Sequence, residues 1–273
     1  MLFWKRAVVR TESRDFIHWS RPQLVMWPDE FDDAGTMKHL MPASRENIPA
    51  DLREKVKGVQ LHSGPAFSYN GMYFSLLQVL DHDVTGFMPI ELAISRDGLN
   101  WKRPFRKDFF LPVDGGNRFD SGTIVSNATP VYHEDEMWLY YGAYIDWHLD
   151  QPKYDEKRFS GVELAIMPRD RFAGLQPVDG VGQVTLKPVD LSQCNSITLN
   201  ADAESGSIQV ELLDQDGFRL KGFSREESVS AMGDQQRHKV IWKSKKLSHL
   251  PDGKYVIRIH LDHATLYAVT FFK

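Results

Sequence analysis

Ser95-Arg96-Asp97-Gly98-Leu99-Asn100-Trp101-Lys102-Arg103-Pro104 decides how the chain is read, because the stretch has a counterpart near the N-terminus. That counterpart is Ser13-Arg14-Asp15-Phe16-Ile17-His18-Trp19-Ser20-Arg21-Pro22. In both, a Ser-Arg-Asp turn leads to a Trp, and a basic residue then stands before Pro. Asp97-Gly98 is a hairpin-type turn, as are Asn70-Gly71, Asp216-Gly217 and Asp252-Gly253. Between such turns lie short alternating runs rich in aromatic and β-branched residues, such as 72–79, 137–142, 208–213 and 255–261. Only residues 47–57, with Pro49 near their start, have the composition of a helix, and a short one. The class is all-β.

Working outward from the turn, a larger repeat emerges. One unit runs from Ser63-Gly64-Pro65 through the aromatic strand at 72–74 to Ile90-Glu91-Leu92-Ala93 and the Asp97 turn. A second runs from Ala128-Thr129-Pro130 through Met137-Trp138-Leu139 to Val162-Glu163-Leu164-Ala165. Glu91 and Glu163 hold the same place in the two. Each unit supplies a strand, a turn, an aromatic strand, a loop and a third strand, and an outer strand would complete a β-propeller blade. Residues 63–69 and 123–132 are the expected inner strands. The first twenty residues fit only the end of such a unit, so about two and a half blades are present, whereas a closed ring needs roughly four or more. A second copy of the chain, or a partner segment, is therefore expected to complete the ring.

After Pro177 the repeat stops. Val178-Asp179-Gly180-Val181-Gly182 reads as a linker. The remaining residues alternate in short strands, the pattern of an antiparallel β-sandwich. The expected domains are 1–178, an incomplete propeller, and 179–273, a sandwich.

Composition excludes several classes of function. The chain of 273 residues carries 33 basic and 37 acidic side chains, a formal charge of −4. That balance argues against duplex nucleic acid as a partner. No apolar run is long enough to span a membrane, and the N-terminus lacks the pattern of a signal peptide. A cytoplasmic location is expected unless an upstream segment carries an export signal. The single Cys194 excludes an intramolecular disulfide and a cysteine-based zinc site. No metal or cofactor is expected. Aromatic residues are 12% of the chain, which suits sheet surfaces and also sugar stacking.

The Ser-x-Asp turns at 13–19 and 95–101, the Phe119-Asp120-Ser121-Gly122 stretch ahead of Ala128-Thr129-Pro130, and the propeller-then-sandwich order carry a resemblance. Together they resemble the five-bladed propeller glycosidases of the levanase, invertase and arabinanase kind, closest to glycoside hydrolase family 32. The resemblance implies a partial five-bladed β-propeller followed by a C-terminal antiparallel β-sandwich. It also implies hydrolysis of an oligosaccharide or polysaccharide through two carboxylates, which retaining enzymes hold about 5–5.5 Å apart. The family's Asn-Asp-Pro and Arg-Asp-Pro motifs do not occur in this sequence, and His62-Ser63-Gly64-Pro65 stands where its acid/base Glu falls. Either missing N-terminal blades supply the nucleophile, or the chain is a carbohydrate-binding or assembly protein that has lost the carboxylates.

Within that frame Asp120, His62 and Glu91 are the candidate catalytic residues. Asp120 and His62 stand where inner strands begin, and Glu91 starts a third strand in an apolar setting. His62 could serve as an acid at mildly acidic pH or hydrogen-bond a hydroxyl. Arg118, Ser63, Asp81, His82, Asp146, Trp147 and His148 are candidate substrate contacts, Trp147 as a stacking platform. The Asp81-His82-Asp83 cluster is a weak metal signal and is read as a polar loop. Asn200-Ala201-Asp202 and Gly222-Phe223-Ser224 are distinctive but build no catalytic constellation.

Overall fold

The computed structural model describes residues 6–33, 59–81, 87–106, 108–113, 119–127, 129–145 and 160–273. The segment 47–57, read above as a short helix, lies outside them. The architecture is all-β. Strands β1 (Val8–Arg10) and β2 (Gln23–Met26) pair antiparallel and are followed by a one-turn helix, α1 (Glu30–Asp33). Then come β3 (Val59–Ser63), β4 (Ala66–Tyr69), β5 (Met72–Asp81), β6 (Ile90–Ser95) and β7 (Trp101–Lys102). They form one sheet in the order β3-β5-β6-β7, with β4 continuing beside β5 where β3 stops. That is the up-and-down order of a propeller blade, with its innermost strand in two pieces. The break falls at Gly64-Pro65, because Pro has no N–H to give to the ladder.

A second blade-type sheet repeats the plan with β8 (Thr123–Ser126), β9 (Val131–His133), β10 (Glu136–Tyr144) and β11 (Ser160–Pro168), in the order β8-β10-β11 with β9 also on β10. Its inner strand breaks at Pro130, the counterpart of Pro65.

The two Ser-x-Asp turns close in the same way, atom for atom. Ser13 bridges Trp19, and Ser95 pairs with Trp101. Asp15 Oδ1 accepts from the N–H groups of Ile17 and His18 at 2.9 and 2.8 Å; Asp97 Oδ1 accepts from Leu99 and Asn100 at 2.8 and 2.7 Å. The second oxygen of each meets the side chain three residues on, His18 Nδ1 or Asn100 Nδ2, at 2.7 Å. Each Trp indole N–H donates back to the residue after the Asp, to Phe16 O or Gly98 O. The turn needs a left-handed residue there. Gly98 takes φ +70° without strain, and Phe16 takes +61° despite its side chain.

The C-terminal strands are β12 (Val181–Thr185), β13 (Val189–Asp190), β14 (Ser196–Leu213), β15 (Ala231–Lys239), β16 (Lys254–Asp262) and β17 (Thr265–Phe272). The 18-residue β14 organises them. Its first half pairs with β17, from Ser196↔Phe272 to Asp202↔Thr265, and its second half with β16, from Ser207↔Asp262 to Leu213↔Val256. Its register with β15 slips between Ala203 and Ile208. One strand therefore exchanges β17 for β16 along its length, within a single six-stranded sheet. Gly206 sits at the changeover, where a Cβ would stand 1.8 Å from the Asp262 carbonyl oxygen. The core behind it includes Leu199, Val210, Leu212, Ile257, Ile259 and Leu261. Trp242 closes one side, its indole donating to Val210 O at 2.9 Å and its ring 5.2 Å from Phe223.

The chain divides into two compact units, Met1–Val131 with Trp138–Ile166, and Tyr132–Met137 with Met167–Lys273. Residues 167–178 thus lie with the second unit, although the composition changes only after Pro177. Side-chain and backbone bonds hold them there. Arg171 Nε donates to Asn200 Oδ1 at 2.8 Å, Asn200 Nδ2 donates to Arg169 O at 2.7 Å, and Leu175 bridges Leu266. Asn200 is a tether for this segment. Gly222 (φ +88°) turns the chain so that Phe223 enters the core.

Two variants test these constraints. Gly206→Ala must displace the β14–β16 ladder, and a loss of about 1–3 kcal/mol is expected in denaturant unfolding. Hydrogen bonds from Asn100 and Leu99 hold the Asp97 carboxyl well below the usual carboxylate range. Its folded-state value is the depressed one, so its stabilisation is present above about pH 4 and lost as pH falls further. Asp97→Asn is expected to flatten the acid limb of a melting-temperature-against-pH curve.

Candidate functional site

Two groups of polar side chains stand out in the first unit. The first is spread along the inner strands: His62 and Ser63 end β3, which begins at Val59 and not at the expected residue 63, while Asp120 stands ahead of β8. His62 occupies a bulge of β3: Leu61 pairs with Val79 and Ser63 with Gln78, leaving His62 outside the ladder. Its Nδ1 is 3.2 Å from Gln78 Oε1, while the rest of the residue is exposed. Ser63 beside it is half-buried. Asp120 precedes β8 and is also half-buried. The Tyr141 hydroxyl, from β10, donates to Asp120 Oδ2 at 3.2 Å. Gly122 follows so closely against the chain that a Cβ would meet Ile145 O at 2.5 Å, which sets the path into β8. Asp81 ends β5, is 2% exposed, and its N–H donates to Phe87 O. Arg118, His82, Asp146, Trp147 and His148 lie outside the described residues.

Glu91 belongs to the second group. It pairs with Leu77 on β5, whereas Gln78, the partner of His62, pairs with Ile90. Side chains alternate along a strand, so Glu91 and the His62–Gln78 pair sit on opposite faces of one sheet. There Glu91 receives Arg103 in a fork: Nε to Oε1 and Nη2 to Oε2, both at 2.7 Å. The other edge of the same guanidinium holds Asp32 of α1, with Nη1 to Oδ2 at 2.7 Å and Nη2 to Oδ1 at 3.1 Å. Arg106 repeats the fork on Asp29, at 2.7 and 2.8 Å, and also reaches Asp32. Arg106 lies over the Phe31 ring at 4.9 Å. Three carboxylates and two guanidiniums leave one excess negative charge.

Burial decides the state of these groups. Desolvation pushes the Glu91 carboxyl up, against the hold of Arg103. Hydrogen bonds from Arg106 hold the more exposed Asp29 at about 2. Asp29 also organises α1, accepting from the N–H groups of Phe31 and Asp32, while its own N–H donates to Asp32 Oδ2. The pairs are geometrically ideal bidentate contacts, the strong class of charge-assisted hydrogen bond. Their chemistry is cohesive: Glu91 and Asp32 have both oxygens engaged by guanidinium.

Beside this cluster lies a cleft of about 180 Å3, lined by Val25, Met26, Trp27, Asp29, Trp101, Arg103 and Arg106. Trp27 is 54% exposed there. The sequence reading did not single out Trp27, Asp29, Asp32, Arg103 or Arg106. The available signal was the complementarity of Asp29-Glu30-Phe31-Asp32-Asp33 with Arg103-Pro104-Phe105-Arg106, across some 71 to 77 residues of sequence.

No family model and no curated protein matches the chain. Among solved structures, an N-acetylgalactosamine deacetylase from F. plautii in complex with blood group B trisaccharide is similar at a TM-score of 0.40 and 15% identity. The match covers 61% of this chain and 42% of that one, so the chain spans less than half of that structure. A likeness at that level carries no argument about what this chain acts on.

The fork makes a direct prediction. Arg103→Leu leaves the Glu91 and Asp32 carboxylates buried without their principal cation, and a loss of about 3–5 kcal/mol is expected in chemical unfolding.

Proposed function

We propose that the chain recognises a carbohydrate on the face where its inner strands begin, as a binding protein built like the propeller glycosidases, with Asp120 meeting the sugar. The observation that carries this reading is the half-buried Asp120 carboxylate, set by the Tyr141 hydroxyl at the mouth of β8. A carboxylate fixed by a neighbouring hydroxyl is oriented to accept hydrogen bonds from sugar hydroxyls. His62, exposed on its bulge, and Ser63 stand at the end of β3 and enter the proposal only as contacts further along the inner strands. The candidate contacts Arg118, His82, Asp146, Trp147 and His148 belong to it too, whereas Asp81, buried at the end of β5, is left out.

Binding is favoured over hydrolysis because of where Glu91 stands. Retaining hydrolysis needs a second carboxyl about 5–5.5 Å from the first and able to exchange a proton. Glu91, on the far face of its sheet, is engaged by Arg103 through both oxygens. Glycoside hydrolysis is the second reading, and the Tyr141–Asp120 pair is what favours it, since an oriented carboxylate is also what a glycosidase nucleophile requires.

Calorimetry against a panel of neutral and acidic oligosaccharides, with reducing-end release measured in parallel, tests both. Asp120→Asn keeps the side chain's size and removes its charge. It is expected to fold normally and to weaken oligosaccharide binding about tenfold or more, the order of a hydrogen bond to a charged group. Sugar release by the parent chain that disappears in Asp120→Asn would establish the hydrolytic reading instead. Equal binding by parent and variant would remove Asp120 from the site.

A further inference from the structure

We infer that the cleft beside Trp27 and Trp101 is a second carbohydrate subsite, shaped for one neutral sugar ring and separate from the inner-strand face. The inference rests on the reading that the chain recognises carbohydrate. The cleft lies between strands of two neighbouring sheets, β2 with the segment that follows it, and β7. Its volume of about 180 Å3 is below the roughly 300 Å3 at which pockets for drug-sized ligands begin, so it admits one ring rather than a chain.

Three features give the cleft its chemistry. Trp27 follows Val25 and Met26, both buried, and precedes buried Pro28, yet is itself 54% exposed. An indole held by a buried backbone and left open beside a cavity presents a rigid apolar plate, suited to the C–H face of a sugar ring. Asp29 sits in the same cleft with a side chain 44% exposed, fixed by the Arg106 fork and by the N–H groups of Phe31 and Asp32. A carboxylate so held, and ionised at neutral pH, offers the remaining lone pair of Oδ2 to one sugar hydroxyl, Oδ1 being taken by Arg106, Phe31 and Asp32. Finally, the two guanidiniums along the wall are already engaged by three carboxylates, and the group as a whole carries one excess negative charge. That charge repels a uronate or sialic acid and leaves a neutral, hydroxyl-rich ring as the matching ligand.

The full-length chain is titrated with methyl hexosides and methyl N-acetylhexosaminides, and with the methyl uronides of the same sugars, following tryptophan fluorescence and calorimetry. Saturable binding of at least one neutral glycoside, with the uronides weaker, is expected. Trp27→Ala should weaken that binding about 10- to 100-fold, in the range measured for ring stacking on aromatics. Trp27→Phe should restore part of it, and melting temperatures should show both variants folded. Equal affinity of parent and Trp27→Ala, preference for uronides, or no binding of any single-ring glycoside would overturn the inference. Oligosaccharide binding lost in Asp120→Asn but kept in Trp27→Ala would leave the inner-strand proposal standing and remove only this subsite.

Discussion

One guanidinium ties α1 to the first blade sheet. Arg103 follows the outer strand β7, grips Glu91 on β6 with one edge and Asp32 of α1 with the other, and is itself 7% exposed. Strands β6 and β7 are already hydrogen-bonded to each other; α1 and the β1–β2 pair ahead of it are not part of that sheet. The fork joins α1 to it, and the Leu61 N–H, donating to Arg6 O at 3.1 Å, joins the segment ahead of β1. Taking such ions out of water costs several kcal/mol each, and only ideal geometry offsets that. Arg106 supplies the remaining compensation through Asp29 and Asp32. The cleft follows from this arrangement, because the same contacts that bury Asp32 fix Asp29 and leave Trp27 beside open space.

The second unit also buries a carboxylate, Glu211 of β14, against Arg258 and His260 of β16. Its main constraint is a strand, β14, long enough to pair with β17 and then with β16. The change of partner requires one residue without a side chain at Gly206, and the apolar alternation of β14 and β16 does the rest.

How much of this was legible follows from the range of each interaction. The Ser-x-Asp turns were readable because every bond that makes them lies within six residues, from Ser13 to Trp19 and from Ser95 to Trp101. Phe16, where the second copy has Gly98, shows that the turn persists even when its left-handed position holds an unfavourable residue. The blade-like strand order was readable for the same reason, since consecutive strands pair through short connections. Glu91 is marked by its place in the repeat and lies 12 residues from Arg103, but Asp32, the other carboxylate on that guanidinium, is 71 residues from it, beyond any local pattern. Alternation along β14 gave strands without their partners: nothing local says that one strand pairs with β17 and then with β16. Likewise Asn200 looked distinctive because it does something specific, and that something is a tether to Arg169 and Arg171.

Amide hydrogen exchange on an Arg103→Lys variant tests the clasp most directly. Lysine keeps the charge and removes the fork. The expected result is faster exchange appearing together in the β1–β2 pair, in α1 and in β6–β7, with β14 and β16 unchanged. Faster exchange confined to the residues around position 103, with β1, β2 and α1 as protected as in the parent, would contradict the role given to Arg103.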